Sequence, residues 1–229
     1  MDFRFNRLPT WWVNGFDSIL KNEFTSHGKY LGRNISALKC YLAIISKVIF
    51  ETGISEISYS EIEDIGGISR PMIKKGLDHL VNCKLISISK IEKTNKYHVN
   101  LKGNCRLSIN DTVDEYDKWA KLPRYIIQKN LKHLSSRGEI SLLSLKIYIY
   151  LLSIRNNQSN EVSATYTKIT DSLGIQRAKI KKSLSNLVVL ELISITQSES
   201  NGDFRGHNIF IIKGVKKDKY FLTANSNLP

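Results

Sequence analysis

Sliding the sequence along itself by 107 residues aligns residues 38–88 with residues 145–195 without a gap. Twenty of the 51 pairs are identical, against roughly three expected for unrelated chains of average composition. The matches include Leu38/Leu145, Lys39/Lys146, Tyr41/Tyr148, Tyr59/Tyr166, Ile62/Ile169, Gly67/Gly174, Arg70/Arg177, Lys74/Lys181 and Lys75/Lys182. A run of four, Leu85-Ile86-Ser87-Ile88, recurs as Leu192-Ile193-Ser194-Ile195. An ungapped match of this length predicts two copies of one structural unit. A weaker echo lies upstream at an offset of 114, where Arg7-Leu8-Pro9-Thr10-Trp11-Trp12 resembles Lys121-Leu122-Pro123-Arg124-Tyr125-Ile126.

In the first copy, residues 36–50 carry Leu38, Tyr41, Leu42, Ile45, Val48 and Ile49 at helical spacing, which predicts a largely buried helix. Thr52-Gly53 breaks it, and Ile57-Ser58-Tyr59 is expected to be a short extended segment. Ser60 and Glu63 have the spacing of a capping box for a short second helix ended by Gly66-Gly67, with Gly67 in the left-handed conformation. Ser69 is expected to cap a third helix with Pro71 in its first turn. On that helix Ile73, Leu77, Leu80 and Val81 face the core, and Arg70, Lys74, Lys75 and Asp78 lie opposite. Alternation over residues 85–91 and again over 96–101 predicts a β-hairpin. The second copy reads the same way: helices at 142–154, 166–173 and 177–190, then strands at 192–197 and 207–213 across a longer loop.

Helix, short strand, helix, tight turn, helix and hairpin is the order of a winged helix-turn-helix. The expected fold is therefore α+β, two tandem winged helix-turn-helix domains from an internal repeat. Residues 1–109 form the first with its lead-in, 110–118 an acidic linker, 119–215 the second and 216–229 a basic tail expected to fray. Trp11, Trp12, Trp119 and Tyr125 precede the two units and are expected to pack on their first helices.

Charge narrows the function. Thirty-four Lys+Arg against 21 Asp+Glu leave a formal charge of +13, a balance that favours nucleic acid as a partner. No apolar stretch approaches the ~20 residues of a membrane span, and no secretory signal is visible, so a cytoplasmic, membrane-free protein is expected. Cys40, Cys83 and Cys105 have no metal or redox spacing, and His79 and His98 have no clustered partners, so neither metal nor cofactor is expected. Nucleotide-binding loops, nucleophile elbows and zinc-protease motifs are missing from the sequence, and no enzymatic activity is expected.

Arg70, Lys74 and Lys75, repeated as Arg177, Lys181 and Lys182, are spaced i, i+4, i+5 and share one helix face. In a helix-turn-helix the N-terminal part of this helix meets base edges in the major groove. The arginines suit guanine and the lysines suit phosphate or guanine. Ser69, Gln176 and Lys179 flank the triplets and differ between copies, which predicts two different half-sites. Lys90, Lys93 and Lys96 on the first hairpin, with Arg205 and His207 in the second loop, are the candidate wing contacts.

Two such units in a chain of this size resemble the plasmid and phage replication initiators. The Leu-Pro-aromatic lead-in and the Leu-Lys-x-Tyr start of each first helix add to the resemblance, which covers roughly residues 8–213. It implies origin binding by the third helix of each unit, pseudo-twofold related units, double-stranded DNA as partner, and replication proteins or a second copy of the chain as further partners. A transcriptional regulator of a mobile-element operon is the alternative. A kleisin-type interaction module is a third, against which the basic faces argue.

Overall fold

The computed structural model describes residues 5–15, 17–49, 52–91, 94–101, 119–156, 158–197 and 208–215. The fold is α+β, with helices packed against three small antiparallel sheets. The first half runs β1 (Phe5–Pro9), α1 (Ile19–Asn22), α2 (Gly28–Lys47), β2 (Ile54–Ser55), α3 (Tyr59–Gly66), α4 (Arg70–Asn82), β3 (Ile86–Ile91) and β4 (Thr94–Val99). The second half runs β5 (Trp119–Pro123), α5 (Arg124–Asn130), a 3-10 turn (Leu131–His133), α6 (Glu139–Ser153), β6 (Glu161–Ser163), α7 (Tyr166–Leu173), α8 (Arg177–Val189), β7 (Ile193–Gln197) and β8 (Asn208–Ile212). From α2 to β4 and from α6 to β8 the order of elements is the same. Each three-stranded sheet places its last strand in the middle, β2-β4-β3 and β6-β8-β7.

The first helix of each half is the centre of its packing. Every residue from Asn34 to Ser46 in α2 and from Ser141 to Leu152 in α6 is buried, because neighbours cover these helices on all sides. The helix expected over 36–50 in fact starts two turns earlier. It stops at Lys47, where Val48 turns extended and gives its carbonyl to Asn6 Nδ2 at 3.2 Å. Ile49, expected on the buried face, is half-exposed and bridges to Ile54.

Local capping also departs from expectation at two places. The box that starts α3 uses Ser58 and Glu61 rather than Ser60 and Glu63. Both pairs have the required spacing. Starting at Tyr59 puts Ile62 and Ile65 into the core and leaves Ser60 on the surface. For the same reason the extended segment lies at Ile54–Ser55, paired with His98 and Tyr97, and not at 57–59. Ser69 occupies the cap position of α4 but its side chain makes no capping hydrogen bond. On α4, Ile73, Leu77 and Leu80 are buried as expected, whereas Val81, one residue past that arc, is 39% exposed. Gly67 and Gly174 close α3 and α7 with φ of 59° and 65°. These are the left-handed ends that the repeat predicts.

The halves meet around a local twofold. Strands β1 and β5 pair antiparallel with Arg7 opposite Lys121, Phe5 opposite Pro123 and Pro9 opposite Trp119. The offset of 114 maps Arg7 onto Lys121, Phe5 onto Trp119 and Pro9 onto Pro123, so each pair maps onto another pair of the ladder. The rotation axis passes through Arg7 and Lys121. Side chains obey it too: the Arg7 guanidinium sits 4.6 Å from the Trp119 ring centroid, and Lys121 Nζ sits 4.9 Å from that of Phe5. Trp119 thus stacks with Phe5 on the ribbon, and Tyr125 is 67% exposed, not packed as expected on a first helix. Trp12 does pack on one, edge-on to Tyr41 at 5.1 Å.

Two equivalent lysines stitch the halves from inside. Lys39 of α2 donates to the carbonyls of Gly66 and Leu134 and to Ser136 Oγ, the last two from the other half. Lys146 of α6 donates to the carbonyls of Lys21 and Phe24, again across the halves. Burial pushes both ammonium groups down to about 8. Below that pH both are charged in the folded and the unfolded chain. Between about 8 and the ordinary 10.5 only the unfolded chain holds the extra proton, so stability rises with pH. Burial raises Cys40 from 9.0 to about 12, which pulls stability down above pH 9. Urea denaturation is therefore expected to show stability rising by on the order of 1 kcal/mol between about pH 7.5 and 9, then rising less steeply as Cys40 offsets part of the gain. Lys39→Met should flatten the rise; a curve that falls through this window contradicts the assignment.

Candidate nucleic-acid interface

Helices α4 and α8 present the matched cations. Arg70, Lys74 and Lys75 are exposed on α4, and Arg177, Lys181 and Lys182 are exposed at the same register of α8. The register follows from the apolar arc beneath: Ile73, Leu77 and Leu80 in one helix and Ile180, Leu184 and Leu187 in the other are buried. Gly76 lets α4 approach α2 closely, since a Cβ there would lie 2.9 Å from the backbone of Ser36 and Ala37. Its counterpart Ser183 accepts at its carbonyl a hydrogen bond from Ser144 Oγ on α6, at 3.1 Å.

The two faces differ in what restrains their cations. Arg70 Nε lies 3.4 Å from Glu63 Oε2, and its Nη2 donates to Ser60 Oγ at 3.1 Å. Arg177 contacts Thr167 Oγ1 at 3.3 Å and lies over the Tyr166 ring at 5.9 Å, both neutral groups. Lys179 is half-buried and pairs with Glu139 at 2.7 Å, so it points away from the open face on which it was expected. Gln176 is exposed at the start of α8 without a side-chain capping bond. The charge carried by the helix pairs is unequal. Helices α3 and α4 together hold three bases and four acids, a net of one negative. Helices α7 and α8 hold five bases and one acid, a net of four positive.

The first hairpin brings Lys90 to an exposed position on β3, but Lys96 is drawn back by Glu56 at 2.6 Å. His98 sits beside Ser89, 2.7 Å from its hydroxyl. Lys93, Arg205, His207, Cys105, the acidic segment 110–118 and the tail 216–229 lie outside the described residues.

A further group escaped the sequence reading because the predicted helix began too late. Tyr30, in the first turn of α2, is 39% exposed between Lys29 Nζ at 4.9 Å and the Arg33 guanidinium at 4.6 Å. Gly32 faces Met72 of α4, where an added Cβ would lie 3.4 Å from the Met72 methyl, so this basic-aromatic cluster adjoins the α4 face. Spacing i, i+1, i+4 around a tyrosine was the available signal.

Among the described residues no group of three or more His, Cys, Asp or Glu side chains is arranged to hold a metal, and no helix is long and apolar enough to cross a membrane. No protein-family model matches the chain, and no curated protein matches it in sequence.

Proposed function

We propose that the chain is a double-stranded DNA-binding protein built of two winged helix-turn-helix units, acting as a replication initiator of the plasmid or phage type. The observation that carries this reading is the recurrence of an exposed Arg…Lys-Lys triplet at one register on two helices whose halves are related by the twofold at Arg7 and Lys121. Random drift has little reason to keep three cations of a solvated face in step while Met72/Lys179 and Pro71/Ala178 beside them change. The last helix of a helix-turn-helix supplies base contacts, and the hairpin supplies phosphate contacts. A twofold relation between the units favours half-sites of opposite orientation. Their differing flanks, Ser69 against Gln176, favour half-sites of unequal sequence. Replication proteins and a second copy of the chain are the further partners of this reading.

Gel-shift titration tests it at two levels. Binding to random duplex should fall steeply with salt, since phosphate contacts release counterions. Salt-insensitive binding overturns the proposal. On a site selected from a random pool, Arg177→Ala should cost about 1–3 kcal/mol while barely changing random binding, whereas Lys181→Ala weakens both. Equal losses on cognate and random duplex would remove Arg177 as a base reader. The same surface also suits a regulator of a mobile-element operon. Direct repeats beside an AT-rich tract mark initiation, and an inverted repeat across a promoter marks regulation.

A further inference from the structure

The twofold that relates Lys39 to Lys146 is broken at their tips. Lys39 has three acceptors, which matches the three N–H groups of an ammonium. Lys146 is equally sequestered, 4% exposed, yet among the described residues it has two carbonyl acceptors at 3.1 and 3.4 Å and no carboxylate in contact. Its charge is uncompensated, and the nearby Lys21 adds to the repulsion. An ammonium withdrawn from water without a counter-charge is costly.

Lys146 lines a cleft of about 510 Å³ between the α7–α8 turn and the first-half segment 21–27. That volume lies within the about 300–1,000 Å³ of small-molecule sites. Lys21 and Lys179 also line it, against a single carboxylate, Glu139. Gly174, Gln176 and Lys179 bring the first turn of α8 to the same cleft. Three lysines from both halves, one of them short of an acceptor, match a molecule that carries a phosphate.

We propose that this cleft binds a phosphorylated small molecule, with Lys146 and Lys179 holding the phosphate. Glu139, which neutralises Lys179 at 2.7 Å, competes with the ligand for that lysine. The bound molecule touches both halves and the base of α8, so it ties them together.

The test is isothermal titration of the full chain without DNA, using inorganic pyrophosphate and adenosine monophosphate as separate probes. Saturable one-to-one binding of either probe is expected. Glu139→Gln should tighten binding several-fold, and Lys146→Met should weaken it at least tenfold. Where Lys146→Met fails to fold, Lys179→Met takes its place with the same expected loss. The double variant Lys74→Ala/Lys75→Ala on α4 should bind like the wild type. No saturable binding of either probe overturns the site, as does weaker or unchanged binding in Glu139→Gln. An equal loss in the α4 variant reduces the effect to general attraction by a basic protein and overturns it too. Because no DNA is present, failure here leaves the DNA-binding reading untouched.

Discussion

Replacing Arg177, Lys181 and Lys182 together by alanine is expected to weaken binding to a cognate duplex by about 3–5 kcal/mol, roughly 100- to 3,000-fold. The same change at Arg70, Lys74 and Lys75 should cost only about tenfold. Both triplets have the same spacing, so the difference comes from their surroundings. On α8 the arginine rests on a hydroxyl and an aromatic ring, and the α7–α8 pair keeps three net positive charges after Glu139 neutralises Lys179. On α4 the arginine must first leave Glu63, and α3 also carries the acids Glu61 and Asp64. On the proposed DNA-binding reading, the second unit is expected to be the anchor and the first the weaker reader. Glu63→Gln should strengthen binding through the first unit by releasing Arg70. Fluorescence anisotropy with labelled duplex at fixed salt separates these outcomes; equal losses from the two triple variants would sink the asymmetry.

Gly67→Ala is expected to destabilise the fold by about 2–5 kcal/mol, where Gly174→Ala costs about 1–2 kcal/mol. Both glycines stand at left-handed φ, 59° and 65°, and share that backbone penalty. Only Gly67 lies against backbone from the other half: an added Cβ would sit 2.7 Å from the Lys132 carbonyl oxygen. Ser136 Oγ donates to the Gly67 carbonyl at 3.0 Å, so relaxing the clash also strains a bond between the halves. At Gly174 the nearest atom is the flexible Lys21 Cε at 3.4 Å, which can move aside. Equal melting shifts for the two variants would mean that the halves do not bear on one another at this turn.

Much of this architecture was legible from periodicity. The helix at 166–173 matches its prediction at both ends, and α8 falls one residue short of its predicted end. Glycine at a left-handed helix end is nearly forced, which is why Gly67 and Gly174 stood out in the repeat. Where two equivalent local solutions existed, periodicity could not choose. Ser58…Glu61 and Ser60…Glu63 satisfy the same capping chemistry, and burial of Ile62 and Ile65 decided between them. The stacking of Trp119 on Phe5 was not legible because the lead-ins pair with each other as strands, a contact between segments more than 100 residues apart.

The sequence alone determined that the chain carries two copies of one unit, and that each copy turns a cationic triplet away from its apolar arc. Helix geometry ties those positions to one another within a few residues, so no tertiary information is needed. Only the tertiary structure decided how the copies face each other and which cations remain available. Glu63 restrains Arg70, Glu56 draws in Lys96, Glu139 takes Lys179, and Lys39 and Lys146 are buried across the junction of the halves. Each of these outcomes depends on a partner brought close by chain reversal or by packing of distant segments. A one-dimensional pattern records the charge but not its counter-charge.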